Sequence, residues 1–179
     1  MLKITSGTYG GRKLVQPKTD KTRPVMERTR HAIFQVLGDV FGMVVLDLYA
    51  GSGALGLEAL SNGAVSATFV DSSRLAQMSI AENVNNLEVR DQSIVKPIKV
   101  ESFFEQNTAK YDLIFLDPPY AEFKLEILEA ASSCLNDTGI IVVSCSMQTK
   151  LPEEIGLTNL VKIKRYGDTQ IAYFRYTSL

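Results

Sequence analysis

Long apolar runs are missing from this chain, and so are most of the residues that build metal and disulfide sites. Its 179 residues include two cysteines and one histidine, which argues against a Cys/His zinc site, so no metal is expected. Cys134 and Cys145 stand in apolar surroundings and read as buried free thiols, which fits a reducing, cytoplasmic setting. No stretch approaches the ~18–20 apolar residues of a membrane span. The segment Met1–Gly7 lacks the apolar core of a signal peptide, so no membrane partner is expected. Charge of one sign is also lacking overall. A formal net charge of −1 argues against a uniformly basic nucleic-acid binder.

What is present is ordinary for a globular protein with a real core: 45% hydrophobic and 22% charged residues. The length favours one domain over 1–179. It divides into an N-terminal extension, 1–40, and a larger body, 41–179. Charge is distributed unevenly between them. Residues 1–30 hold eight Lys and Arg against Asp20 and Glu27, a net +6, which leaves −7 for the rest. A basic arm on an acidic body suggests that the arm meets a polyanion, although a solvated face without a partner has the same composition.

Gly7, Gly10, Gly11, Pro17 and Pro24 break any helix in the first 25 residues. Short β segments are expected near Leu2–Ser6 and Arg12–Val15, joined at Gly10-Gly11. Thr22–Pro24 is expected to be extended, and Met26–Leu37 reads as a helix closed by Gly38. Strand and helix then alternate. Strands are expected near 43–48, 66–70, 95–100, 111–116 and 138–144, and helices near 54–61, 73–87, 101–106 and 122–135. Val44–Leu48, apolar but for Asp47, and the continuously apolar Leu113–Leu116 have the composition of parallel strands covered on both faces. The alternation predicts a doubly wound, mostly parallel sheet. Leu160–Tyr166 and Thr169–Tyr176, separated by Gly167-Asp168, read as an antiparallel hairpin that brings the sheet to seven strands.

The stretch Val44–Leu60 organises the chain: a strand, an acidic turn, a glycine loop and a helix. Gly51-Ser52-Gly53-Ala54-Leu55-Gly56 has the G-x-G-x-x-G spacing, which taken alone is weak evidence for a dinucleotide. Asp47 precedes it at the strand's end. A carboxylate there repels a pyrophosphate and suits a cation, such as the ammonium of an amino-acid ligand. Asp71 closes the next strand 24 positions later and can accept from two ribose hydroxyls, or cap the following helix. An amino acid and a ribose together describe S-adenosylmethionine. Glu101 lies where an adenine edge could be contacted, or it simply begins a helix.

A second buried run, Leu113–Leu116, leads straight into Asp117-Pro118-Pro119-Tyr120. Two prolines stiffen the backbone and remove two N–H donors, which fixes Asp117 and the neighbouring carbonyls. Such acceptors suit an exocyclic amine on a heteroaromatic base, whose lone pair is drawn into the ring. Asp117 and the Pro118 carbonyl can hold the two N–H bonds, and Tyr120 can stack on the base. As the amine gains a methyl group it becomes positive, and the carboxylate stabilises that charge. A rigid loop with a capping Asp and a packed Tyr is the structural alternative.

These motifs resemble those of class I S-adenosylmethionine-dependent methyltransferases. Adding Ser6-Gly7, Gly10–Leu14, Arg23-Pro24, Arg28, Arg30, Ala32–Phe34 and Tyr166–Thr169, the chain is similar over nearly its whole length to the RsmD family of bacterial 16S rRNA guanine-N2 methyltransferases. The resemblance implies a Rossmann-like fold, S-adenosylmethionine as cofactor, and 16S rRNA of the small ribosomal subunit as partner. By position it puts Asp47, Gly51, Gly53 and Asp71 at the cofactor; Tyr49, Ser52 and Ser72 from the same two loops, and Glu101 from the third strand's end, are further candidates for that site. It gives Asp117, Pro118 and Tyr120 to the guanine, and Arg12, Lys13, Arg23, Arg28 and Arg30 to RNA. Departures from the family's pattern fall at Val25-Met26, at His31 and at Val143–Cys145, where an acid is expected. Competing readings are an N6-adenine or other nucleic-acid amino-methyltransferase, a protein-glutamine methyltransferase, a dinucleotide-dependent oxidoreductase and a cofactor-free RNA-binding module.

Overall fold

A computed structural model describes residues 1–17 and 27–176, and the backbone alone of Tyr120. After α1 (Glu27–Leu37) the chain runs β1 (Val44–Leu48), α2 (Ala54–Ser61), β2 (Ser66–Val70), α3 (Arg74–Leu87), β3 (Ser93–Lys96), α4 (Val100–Gln106) and β4 (Tyr111–Leu116). It continues through α5 (Leu125–Ser133), β5 (Leu135–Ser146), β6 (Glu154–Ile155), β7 (Thr158–Tyr166) and β8 (Thr169–Tyr176). The strands form one sheet in the order β3-β2-β1-β4-β5-β8-β7-β6. β1 to β5 are parallel, and β8, β7 and β6 are antiparallel additions. The doubly wound sheet with its terminal hairpin is therefore present. Its eighth strand, β6, was not expected: two residues, Glu154 and Ile155, pair with Thr158 and Asn159 across a tight turn.

Strand alternation explains why both faces carry helices. Val45, Leu113, Phe115, Ile171 and Tyr173 pack with α1, α2 and α3 in one cluster. Leu46, Leu48, Ile114, Leu116, Ala172 and Phe174 pack with α4 and α5 in the other. Phe69 and Phe115 are fully buried, and each such side chain contributes about 1.5–3 kcal/mol. Asp47 shares the register of Val45 and so faces α2.

Several boundaries move from their expected places for local reasons. β3 stops at Lys96 because Pro97 cannot donate to the ladder, and Val100 already belongs to α4. A 3₁₀ turn, Tyr120–Glu122, separates the prolines from α5. The N-terminal arm makes one bridge, Lys3 with Lys13, in place of two short strands. Its turn is wider than Gly10-Gly11, because the Gly10 N–H donates back to the Gly7 carbonyl at 3.1 Å. Gly38 does close α1, with φ of 75° and its N–H on the Phe34 carbonyl. Cys145 is a buried free thiol as expected, whereas Cys134 is half-buried. The expected extension at Thr22–Pro24 lies outside the described residues.

Candidate active site

The chain goes outward from β1 to β2 and β3, then returns to place β4 on the other side of β1. That reversal opens a crevice at the carboxyl ends of β1 and β4, where open α/β sheets hold ligands. Leu48 and Leu116 are in register, and the Asp117 N–H points at the Leu48 carbonyl, 3.5 Å away. The glycine loop and the Asp-Pro-Pro-Tyr stretch are thereby neighbours across about 70 positions of sequence. A cavity of about 930 Å³ lies over them, lined by Asp47, Tyr49, Gly51, Ser52, Asp71, Ser72, Glu101, Asp117 and Pro118. Ligand pockets commonly run to about 300–1,000 Å³, so a cavity of this size takes a cofactor-sized molecule.

The loop is built around two carboxylates. Asp47 is buried, and its Oδ2 accepts the Gly56 N–H at 2.9 Å. A Cβ on Gly56 would lie 2.4 Å from the Phe69 ring and 3.2 Å from Asp47 Oδ2, so only glycine lets the helix come this close. Burial pushes the Asp47 carboxyl well above its ordinary range, and the charges of Asp117 and Asp71 add to the effect. The Gly56 N–H opposes it. Asp71 uses both oxygens, accepting from Gly51 N–H at 2.9 Å and Ser73 N–H at 2.8 Å. It ties the glycine loop to the β2–α3 turn; the helix cap itself is Ser73. Each oxygen still has a lone pair to offer. Ser52 is buried, with its carbonyl held by Asn83. Gly53 stands at the N-terminus of α2 with φ of 76°.

Opposite the loop, Asp117 is half-buried and Pro118 buried. Desolvation raises the Asp117 carboxyl to about 6, against a hydrogen bond from the Ser144 hydroxyl that favours the anion. Glu101 sits in the first turn of α4 and pairs with Lys124 at 2.8 Å across the rim. That hydrogen bond keeps its carboxyl low. Tyr49 has a left-handed backbone, φ 58°, and its phenol is pushed up to about 12 by burial and by the charges of Glu101 and Glu122.

The family model described as conserved hypothetical protein 95 matches residues 2–175. The chain belongs to this family, the RsmD family. Ribosomal RNA small subunit methyltransferase D of Escherichia coli K12 is 32% identical over 182 residues, covering 98% of this chain and 89% of its own. A solved Escherichia coli structure, provisionally named as the methyltransferase yhhF, superposes with a TM-score of 0.87 at 29% identity. It covers 98% of this chain and 97% of its own. The fold is that of class I methyltransferases. A remoter match, SMU.776, was solved with SAH bound; at 14% identity, TM-score 0.70 and coverage of 84% of this chain and 49% of its own, it shares the fold alone.

Seen as an RsmD-family fold, the structure brings Asp47, Tyr49, Gly51, Ser52, Asp71, Ser72, Glu101, Asp117 and Pro118 to one cavity, leaves Gly53 out of its lining, and divides the basic arm. Lys13 and Arg28 are exposed. Arg12 is exposed too, with its guanidinium donating to the Asn86 carbonyl. Arg30 is not part of this face. It is fully buried, with Nε donating to Glu58 Oε2 at 2.9 Å and a second nitrogen on the Lys3 carbonyl. Its helical position turns it under the arm, where Glu58 supplies the countercharge. Arg23 and the Tyr120 side chain lie outside what the structure describes. Two groups escaped the sequence reading. Ser144 meets Asp117 only because β4 and β5 pair with Leu116 beside Val143, a register invisible in a single strand. The Tyr166–Thr169 turn, expected as a hairpin turn and as part of the family pattern but given no place in the site, forms part of the cavity wall. His31 is exposed and contacts Gln35.

Proposed function

We propose that this protein methylates the exocyclic N2 amine of a guanine in 16S rRNA of the small ribosomal subunit, with S-adenosylmethionine as donor. One observation carries the reading: Asp117 and Pro118 open onto the same cavity as the Asp47–Gly51 loop, at the switch point of the sheet. The family membership and the Escherichia coli relative named for small-subunit rRNA methylation support the substrate.

The cavity's chemistry fits this cofactor better than a dinucleotide. The Gly56 N–H, which a pyrophosphate would seek at the start of α2, is already taken by the Asp47 carboxylate. Asp47, Asp71 and Asp117 make the wall acidic, suited to an ammonium, a sulfonium and ribose hydroxyls. Asp47 would face the amino-acid end, directly or through water, and Asp71 the ribose. Tyr49, Ser52 and Ser72 would line the intervening wall, with Glu101 toward the base. Gly51, at φ 58°, has no atom nearer than 3.9 Å to where a Cβ would stand, which leaves its cavity side open. When bound, the cofactor supplies a methyl group on a positively charged sulfur.

The chain's own part is orientation and charge. Asp117 and the Pro118 carbonyl accept the two amine N–H bonds, turning the nitrogen lone pair out of conjugation and toward the donor. The carboxylate then stabilises the positive charge that develops on nitrogen and takes up the surplus proton. Ser144 acts through Asp117, holding the carboxylate ionised and in place. Tyr120 is assigned to stacking on the base. Lys13 and Arg28, with Arg12 and Arg23, are assigned to phosphates.

The test is transfer of labelled methyl from S-adenosylmethionine to small-subunit rRNA, followed by mass-spectrometric mapping. The expected product is N2-methylguanine at one position. Methylation of adenine instead would overturn the base assignment. Calorimetric binding of NAD(P) without S-adenosylmethionine binding would overturn the whole reading.

A further inference from the structure

We propose that Lys162 and Lys164 on β7 form a second RNA-contacting surface, taking backbone phosphates of the strand that enters the cavity. This rests on the rRNA reading above and extends it beyond the N-terminal arm.

The sheet register places these lysines. Lys162 pairs with Tyr173 and Lys164 with Ile171, while Ile163 between them pairs with Ala172. Residues directly opposite in an antiparallel pair share a face. Tyr173 and Ile171 belong to the cluster that packs α1 and the arm, and Ala172 belongs to the other. Lys162 and Lys164 therefore stand on the same face of the sheet as Arg28 and Lys13. Tyr166 continues their alternation and begins the turn that lines the cavity. Lys164 precedes it by two residues, about 7 Å along the strand.

The charges are available. Both lysines are exposed, and among the described residues neither has an ion-pair partner. No acid occurs between Glu154 and Asp168, so this segment is a local positive field on an acidic body. The arm, by contrast, spends part of its charge internally. Arg30 is buried against Glu58, and Lys3 pairs with Glu27. Lysine is a compact, strongly hydrated point charge suited to phosphates. A membrane surface needs apolar side chains beside the cations, and Ile163 points to the opposite face.

Lysines on the part of β7 that the two-residue β6 leaves uncovered also discourage edge-to-edge pairing, a role that predicts no effect on RNA. The experiment separates the two. In the full chain, Lys162→Ala/Lys164→Ala and the charge-preserving Lys162→Arg/Lys164→Arg are titrated with small-subunit rRNA over a salt series. The alanine pair should make the slope of log K against log salt shallower by about 1.4, since each single-strand phosphate contact contributes about 0.7. The arginine pair should restore the wild-type slope, and calorimetric S-adenosylmethionine affinity should not move in either. A wild-type slope in the alanine pair overturns the proposal. So does loss of binding to phosphatidylserine vesicles with the RNA slope intact. A wild-type protein that transfers no methyl to RNA would sink the rRNA reading itself, a separate result.

Discussion

Arg30 and Glu58 form an ion pair at 2.9 Å with neither side chain exposed. Glu58 also accepts from the backbone N–H and hydroxyl groups of Thr5 and Ser6. The helix that follows the glycine loop is thereby fastened both to the arm and to α1. One carboxylate relates the part of the molecule assigned to RNA to the part assigned to the cofactor.

Removing one member of that pair leaves a buried charge without a partner. Arg30→Met should cost about 3–5 kcal/mol in a denaturant titration. Arg28→Ala, at an exposed position on the opposite side of the helix, should change stability by less than about 0.5 kcal/mol. Equal costs at the two positions would mean that Arg30 is not held as the structure shows.

Gly56→Ala should weaken S-adenosylmethionine binding more than tenfold by calorimetry. The added methyl meets Phe69 at 2.4 Å and crowds Asp47, and overpacking of this kind costs about 1–3 kcal/mol. Gly38→Ala serves as the control. It strains a left-handed backbone, φ +75°, in open space, so it should lower stability modestly and leave cofactor affinity alone.

Asp117→Asn should lose methyl transfer by at least about a hundredfold while gaining stability. The folded chain keeps the Asp117 proton up to about pH 6, against 3.8 for a free carboxyl. Stability therefore declines as pH rises from about 4 to 6, and the deficit persists above that. The asparagine removes it, so the variant should be about 1–3 kcal/mol more stable at pH 7. Below pH ~4 the difference should vanish. Thermal melts at three pH values check this, and a destabilised variant at pH 7 would contradict desolvation of the Asp117 carboxylate as the cause.

Ser144→Ala removes the hydroxyl that favours the Asp117 anion. The acid limb of kcat/KM against pH should move up by about one unit, with activity recovering toward wild type near pH 9. A uniform loss at every pH would assign Ser144 to packing instead.

Much of the fold was legible because it follows from local periodicity. The largely apolar stretches Val44–Leu48 and Leu113–Leu116 become central parallel strands, and Gly167-Asp168 becomes a hairpin turn. The two-residue β6 was not legible, since two residues carry no period. The candidate site was legible where its chemistry is contiguous, around Asp47–Ser52 and Asp117–Pro118, which open onto one cavity. It was not legible where it depends on pairing. Ser144 reaches Asp117 through the β4–β5 register. Lys162 and Lys164 share a face with the arm only through their β8 partners.

Residue types and spacings in the chain thus determined the elements, the two motifs and the acidic character of the wall. Tertiary structure decided which charges meet solvent. Arg28 and Arg30 are two residues apart and equally basic, yet one is exposed and the other buried. Two residues on a helix differ by about 200° of rotation, and burial of the inner one is tolerable only because Glu58, from a distant helix, arrives beneath it.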